Sequence, residues 1–262
     1  MKIIDWNISY MNSMKPKIKY LKDKIKNDTF VVILQEVKQN DYEELMNCFS
    51  TIATIEYSLN YRKPGKYDTK SRQLGICILV SKNINVVNAK VLERTLFPDR
   101  TLMVDITLNN KPIRVLGLHS ITGCQHGKAK EIQYYSFAEA VDEYKPDIIG
   151  IDANEPEYDH YELDKMKFFD NYNKGNGCKT FFEVIHDNNL VDAYLKKYDE
   201  STFVDGKYLA CSHVIKRSKK QVRYDFLFIS ENLFKDYDCR YDYDNSIQSR
   251  SDHAAIISNI ML

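Results

Sequence analysis

Eight short apolar runs recur along this chain: KIIDWNI, FVVILQ, LGICILV, TLMVDITL, IRVLGLH, DIIGID, YDFLFIS and AAIISNI. Each has strand length and is rich in β-branched residues, so the core must be built from sheets. Helical stripes lie between some of them. Ile18, Leu21 and Ile25 share one face, with Pro16 near the start, where proline is tolerated. Tyr134, Phe137, Val141 and Tyr144 form a second stripe that ends before Pro146, and a third helix closes over Glu183 to Asn188. From Leu74 to His119 the strand signals follow one another with little room for helices, which favours antiparallel, hairpin-connected pairing. Sheets carrying the core, with helices on their outer faces, are the expectation. The stretch from Tyr158 to Lys179 is polar and aromatic and reads as a variable insertion with some helix.

At 262 residues the chain can bury a sizeable core, as one large domain or two small ones. Hydrophobic residues at 44% and charged residues at 28% describe a globular protein rather than a disordered or fibrous one. Basic and acidic residues balance at 37 each, so no global field draws the molecule to polyanions. A phosphate ligand would need a metal ion or a local basic cluster. The six cysteines lie far apart with no zinc-ligand spacing, and Cys77 sits inside an apolar run as a small hydrophobe. The N-terminal segment has no signal-like apolar region, and no stretch approaches a membrane span. A cytoplasmic monomer without a membrane partner is the expectation.

Polar residues sit at or near the ends of these apolar runs. They are Asn7, Glu36, His119, Asp152, Asn154, Asp225, Asp252 and His253. Individually each has an ordinary explanation. Glu36 can be the first solvated residue after a strand, Asp152 to Asn154 an Asx-turn, His119 a satisfied core histidine, and Asp252-His253 a polar turn at a strand entrance. Jointly they say more, because carboxylates are costly to bury unless paired or bound to a metal. If the strands lie side by side, these ends converge on one cleft. Oxygen ligands such as Glu36 and Asp252 suit a hard ion, Mg²⁺ or Mn²⁺, rather than zinc.

In order and spelling this set resembles the endonuclease/exonuclease/phosphatase family, which includes deoxyribonuclease I and exonuclease III. IDWNI resembles its opening strand with the Asn, LQEV its metal-binding Gln-Glu, and VLGLHS the His-bearing strand of the deoxyribonuclease I and phosphatase branches. LGICILVS and RTLMVDI are similar to its central hairpin strands. IIGIDANEP is similar to its Gly-Asp-x-Asn, with Ile151 set between the Gly and the Asp. VRYDFLFIS is similar to its Arg-x-Asp strand and SDHAAI to its terminal Ser-Asp-His. The resemblance runs from Asn7 to His253. It implies one domain over residues 1–262, a four-layered α/β sandwich of two packed, mainly antiparallel sheets flanked by helices.

The resemblance also implies roles. Glu36 would hold the metal, with further oxygen contacts from Asn7 and Asp252. Asp152 would orient or deprotonate the attacking water, and Asn154 would hydrogen-bond the phosphate. His253 would contact the phosphate or share the acid–base work, with Asp225 fixing its tautomer. His119 is the second candidate acid, protonating the leaving oxygen.

Substrate is less constrained. Exonuclease III-like enzymes carry a Tyr where this chain has His119 and a Trp in late loops, whereas the single Trp here, Trp6, lies in the first strand. The deoxyribonuclease I-like, sphingomyelinase-like and phosphatase-like branches therefore fit better. Two basic stretches, Arg62 to Arg72 and Lys216 to Arg223, are either solvated loops or a phosphate-backbone surface. Arg72 and Arg100 are the candidate substrate contacts. The stretch DYDCRYDYD, Asp236 to Asp244, reads as a surface loop. Three readings stand: a metal-dependent nuclease of little sequence preference on DNA or RNA, a phosphatase or phosphodiesterase of a small molecule or lipid headgroup, and a non-catalytic module that keeps the fold.

Overall fold

The computed structural model describes residues 1–26, 28–63, 73–122, 127–157, 177–196, 203–204, 207–208, 211–217, 219, 221–233 and 237–261. Arg72, most of the first basic stretch and most of the Tyr158 to Lys179 insertion lie outside the described residues.

The strands are β1 (Lys2–Asn7), β2 (Phe30–Val37), β3 (Ala53–Tyr57), β4 (Gly75–Ser81), β5 (Asn85–Lys90), β6 (Thr101–Leu108), β7 (Lys111–His119) and β8 (Ile148–Asp152). After these come β9 (Leu190–Asp192), β10 (Phe203–Val204), β11 (Lys207–Tyr208), β12 (His213–Val214), β13 (Gln221–Val222), β14 (Asp225–Ser230), β15 (Tyr237–Asp242) and β16 (Ala255–Ile260). The helices are α1 (Met14–Ile25), α2 (Gln39–Phe49), α3 (Ser58–Tyr61), α4 (Lys128–Tyr144), α5 (Gly177–Asp187) and α6 (Tyr243–Gln248).

Two six-stranded sheets result, ordered β15-β16-β1-β2-β4-β3 and β5-β6-β7-β8-β14-β9. Most neighbours are antiparallel, but each sheet holds one parallel pair, β1 with β2 and β7 with β8. A parallel pair needs a crossover, and α1 and α4 supply it. The inner faces meet in one apolar layer that includes Ile33, Ile78, Val104, Val115, Leu227 and Ile256. Helices α1 and α2 cover the outer face of the first sheet through Leu21, Leu45 and Phe49. Helices α4 and α5 cover the second through Phe137, Val141 and Phe181. Four layers therefore stack in the order helix, sheet, sheet, helix; the α1 and α4 stripes lie where the sequence pattern puts them, while α5 begins at Gly177, ahead of the expected Glu183 to Asn188. Close sheet approach fixes one glycine: a Cβ on Gly150 would stand 2.2 Å from Asp5 Oδ1.

Two expectations change, and one helix was not foreseen. DYDCRYDYD is not a surface loop: Tyr237–Asp242 is edge strand β15, with Cys239 and Tyr241 buried in the core. Its alternation of Tyr237, Cys239 and Tyr241 with Asp238, Arg240 and Asp242 is the period of a half-buried strand. LGICILVS and RTLMVDI do not form a hairpin, since β4 and β6 lie in different sheets. Helix α2 has a weak sequence signal because only Leu45 and Phe49 of its 11 residues are buried. Among the described residues, no helix is long and apolar enough to cross a membrane.

Candidate active site

The two parallel pairs explain why the polar residues meet. Parallel strands end on the same side, so the carboxyl ends of β1 and β2 present Asn7 and Glu36 together, and those of β7 and β8 present His119 and Asp152. Antiparallel neighbours start at that same edge. Asp225, the first residue of β14, is in register with Asp152, and His253 lies two residues before the start of β16, the strand beside β1. Ligand sites outside the carboxyl ends of parallel strands are a general consequence of such connections.

The backbone around these strand ends is unusual. Ser9, Glu36, Asn154 and Arg250 all have positive φ, at 54°, 59°, 51° and 66°. Non-glycine residues rarely adopt that region, and such conformations cluster at functional sites. Glu36 owes its conformation to a bulge, since the β2–β4 register shifts between Leu34 and Val37.

Asp152 is buried and accepts from three N–H groups: Asn154 N at 2.9 Å, Asn154 Nδ2 at 3.2 Å and Asn7 Nδ2 at 2.7 Å. Asn7 Oδ1 accepts from Ser9 N at 2.9 Å, which sets the amide so that its NH₂ faces the carboxylates. In that orientation Asn7 bridges Asp152 and Glu36. Asn154 is turned inward likewise. Its NH₂ is engaged by Ser120 O at 2.9 Å and by Asp152, so it orients the carboxylate rather than reaching outward. Glu36 Oε2 accepts from Tyr10 N at 3.1 Å. Burial raises the Glu36 carboxyl above the usual range, opposed by nearby His253.

His253 Nδ1 lies 3.0 and 2.9 Å from the two oxygens of Asp225. Burial alone would lower its pKa, but the carboxylates of Asp225, Asp152 and Asp252 outweigh burial and raise it to about 10. The ring is an imidazolium at neutral pH. Trp6 Nε1 donates to the His253 carbonyl at 3.0 Å, and Ser251 Oγ accepts from His253 N at 3.1 Å.

His119 differs. Burial, then the positive charges of Arg100, His253 and Lys130, holds its pKa well below the ordinary value. Its Nε2 lies 3.8 Å from Glu36 Oε1 and 3.7 Å from Asp152 Oδ2. A ring held neutral carries no excess proton, which sets His119 apart from the His253 imidazolium. Arg100 does face the site, but through His119, 2.9 Å from Nδ1, and it is largely buried.

Among the described residues, two groups bring carboxylate and imidazole ligand atoms within 4.8 Å of one another: Glu36, His119 and Asp152, and Asp152, Asp225 and His253. Asp252 belongs to neither; its carboxylate faces Lys216 Nζ at 3.5 Å. The donor set nevertheless fits a hard divalent ion, because carboxylate oxygens of Glu36 and Asp152 converge while Nδ1 of each imidazole is engaged, by Arg100 at His119 and by Asp225 at His253.

Sequence reasoning missed several neighbours. His213 on β12 stacks on His253 with ring centroids 4.6 Å apart and bonds Asp252 O through Nδ1 at 2.9 Å. Its two-residue strand has no periodicity to betray it. Arg223 is turned inward from the second basic stretch, pairing with buried Asp192 and donating from Nε to Tyr241 Oη at 3.0 Å. It therefore offers no cation to a phosphate backbone. Asp5 is fully buried beneath the site; burial raises its pKa well above the carboxylate range, and Gln35 donates to it at 2.6 Å.

No family model and no curated protein matches the sequence. Solved structures do match, each aligned over 100% of this chain. A truncated TDP2 of Caenorhabditis elegans is 16% identical with a TM-score of 0.63, over 97% of its own length. The human Nocturnin catalytic domain with bound sulfate is 12% identical with a TM-score of 0.66, over 94%. The 3′ phosphatase NExo from Neisseria, bound to a product DNA hairpin, is 18% identical with a TM-score of 0.64, over 100%. The chain shares the deoxyribonuclease I-like α/β sandwich fold of these structures.

Proposed function

We propose that this protein is a divalent-metal-dependent phosphoesterase that hydrolyses phosphodiester bonds, acting as a nuclease on DNA or RNA with little sequence preference. The observation that carries the reading is the convergence of Glu36, Asp152 and the Asp225–His253 pair at one edge of both sheets. Fold alone does not decide chemistry, but this edge has the parts that phosphoester hydrolysis needs. The bound product DNA of NExo supports a nucleic-acid substrate for the same fold.

Mg²⁺ or Mn²⁺ held by Glu36 and Asp152 would supply positive charge to the phosphoryl oxygens. The chain's own groups do the rest. Asp152, fixed by Asn7 and Asn154, orients the attacking water and accepts its proton. His119 donates from Nε2 to a phosphoryl oxygen. His253, the cationic imidazole, holds a second oxygen and has a proton to give to the leaving group, while Asp225 keeps that ring charged and oriented.

Purified protein incubated with Mg²⁺ or Mn²⁺ and plasmid DNA, single-stranded DNA, RNA or a panel of phosphorylated small molecules tests the proposal. Cleavage of the nucleic acids, lost in Glu36→Ala and in EDTA, is the expected result. Turnover confined to small molecules would make the protein a phosphatase instead, and activity surviving EDTA would remove the metal from the mechanism.

A further inference from the structure

We propose that Lys17 and Lys130, one from each helical layer, are positioning residues that clamp the two left-handed turns carrying the site. Both side chains are almost wholly buried, each residue only 1% exposed. An ammonium is expensive to bury, and an apolar side chain of similar length would fill the same space at less cost. What each lysine bonds gives it a purpose.

Lys17, on α1, donates from Nζ to Ser9 O at 2.7 Å and to Asn12 O at 3.1 Å. Ser9 has a φ of 54°. From this turn, Ser9 N holds Asn7 Oδ1 and Tyr10 N holds Glu36 Oε2. Lys130, on α4, does the same in the other sheet. Its Nζ donates to Asn154 O at 2.8 Å and pairs with Glu155 Oε1 at 2.6 Å. Asn154 has a φ of 51°, and its N–H holds Asp152 Oδ1.

One turn of α4 further on, buried Gln133 and Tyr134 extend the clamp. Gln133 Nε2 donates to His119 O at 3.2 Å, its Oε1 accepts from Ile121 N at 2.9 Å, and Tyr134 Oη donates to Ala153 O. Residues i, i+3 and i+4 share a helix face, so one face of α4 grips the backbone behind both His119 and Asp152.

The carbonyls of Ser9, Asn12 and Asn154 are each met by a lysine Nζ. A long stem ending in three N–H donors satisfies them and holds the strained φ in place. The carboxylates of Glu36 and Asp152 are thus aimed by two buried cations that bond backbone. This role rests on the phosphoesterase reading above.

The test compares wild type with Lys17→Met and with Lys130→Met/Glu155→Gln, the double variant leaving no buried unpaired carboxylate. Turnover of bis(4-nitrophenyl) phosphate with Mn²⁺ gives kcat and KM, and hydrogen–deuterium exchange is followed over residues 8–13 and 150–157. Each variant is expected to lose about 10- to 100-fold in kcat, with KM changed less than about threefold, because misplacement by an ångström costs that much. Each should also speed exchange in its own turn alone. Unchanged kcat with a loosened turn overturns the proposal, as does a turn that exchanges at the wild-type rate without its lysine. If wild type turns over no phosphoester, the functional reading fails, and the exchange measurement judges the clamp by itself. Should the double variant not fold, Lys17→Met decides, since that lysine makes no ion pair among the described residues.

Discussion

Arg100 Nη1 donates to His119 Nδ1 across 2.9 Å, and that single bond fixes the imidazole's proton on Nε2. A guanidinium has no acceptor, so Nδ1 must present its lone pair. Nε2–H then points between Glu36 Oε1 and Asp152 Oδ2, at 3.8 and 3.7 Å. In the proposed mechanism, the ring that the sequence offered as an acid serves as a neutral donor.

His119→Gln keeps an N–H donor, whereas His119→Ala removes it. Removing one donor to a developing charge costs about 100- to 1,000-fold in kcat. His119→Ala should show a loss of that order, and His119→Gln should retain roughly a tenth or more of wild-type kcat. The pH profile of kcat/KM should keep its shape in His119→Gln, since no proton of His119 moves. A profile that loses a limb in that variant would restore the acid role.

The Asp225–His253 pair ties stability to pH. The folded state keeps the imidazolium up to about pH 10, while the unfolded chain loses that proton near the ordinary histidine value of about 6.5. Below about pH 6.5 both states carry the proton and the full stabilisation is present; it drains away as pH rises towards 10. The urea midpoint of wild type should fall across that window. His253→Gln should lower the midpoint at pH 6.5 and flatten the fall, which parallel curves for the two proteins would contradict.

Much of this site was legible in the sequence because each residue closes or opens an apolar strand, and β-strand signals survive without tertiary context. Asn7, Glu36, His119, Asp152, Asp225 and His253 all stand at the edge where the strand ends meet. Which way a side chain turns was not legible. Asn7 and Asn154 direct their amides at Asp152, and Asp252 faces Lys216, because neighbouring backbone N–H and carbonyl groups decide it. Buried lysines were equally hidden, since Lys17 and Lys130 sit among many exposed lysines of identical local pattern. Strand β15 is the reverse case. Its period-two alternation was present, but its charges gave it the look of a loop.

Glu36 gives the metal proposal a readout independent of turnover. A ligand that binds only the folded state stabilises it by about 2.7 kcal/mol at 100 times its Kd. Mn²⁺ should therefore raise the wild-type Tm, and Glu36→Gln should abolish the rise with little change in Tm without metal. Burial raises the carboxyl pKa, so metal affinity should weaken on acidification sooner than an ordinary glutamate would allow. Equal metal-induced shifts in wild type and Glu36→Gln would place the ion elsewhere.

Trp6 links the first strand to His253, the last of the candidate site residues. Its indole is fully buried against Tyr20, with ring centroids 4.9 Å apart, and Nε1 donates to His253 O. Trp6→Phe keeps most of the apolar contact but strands that carbonyl, at a cost of about 1–3 kcal/mol. The same bond holds the backbone that delivers the imidazolium, so kcat should fall as well, with KM little affected. Ala at this position would open a large cavity and confuse the two effects. A Trp6→Phe protein that loses stability by this amount yet keeps wild-type kcat would mean that Asp225, through the bonds at 2.9 and 3.0 Å, positions His253 unaided.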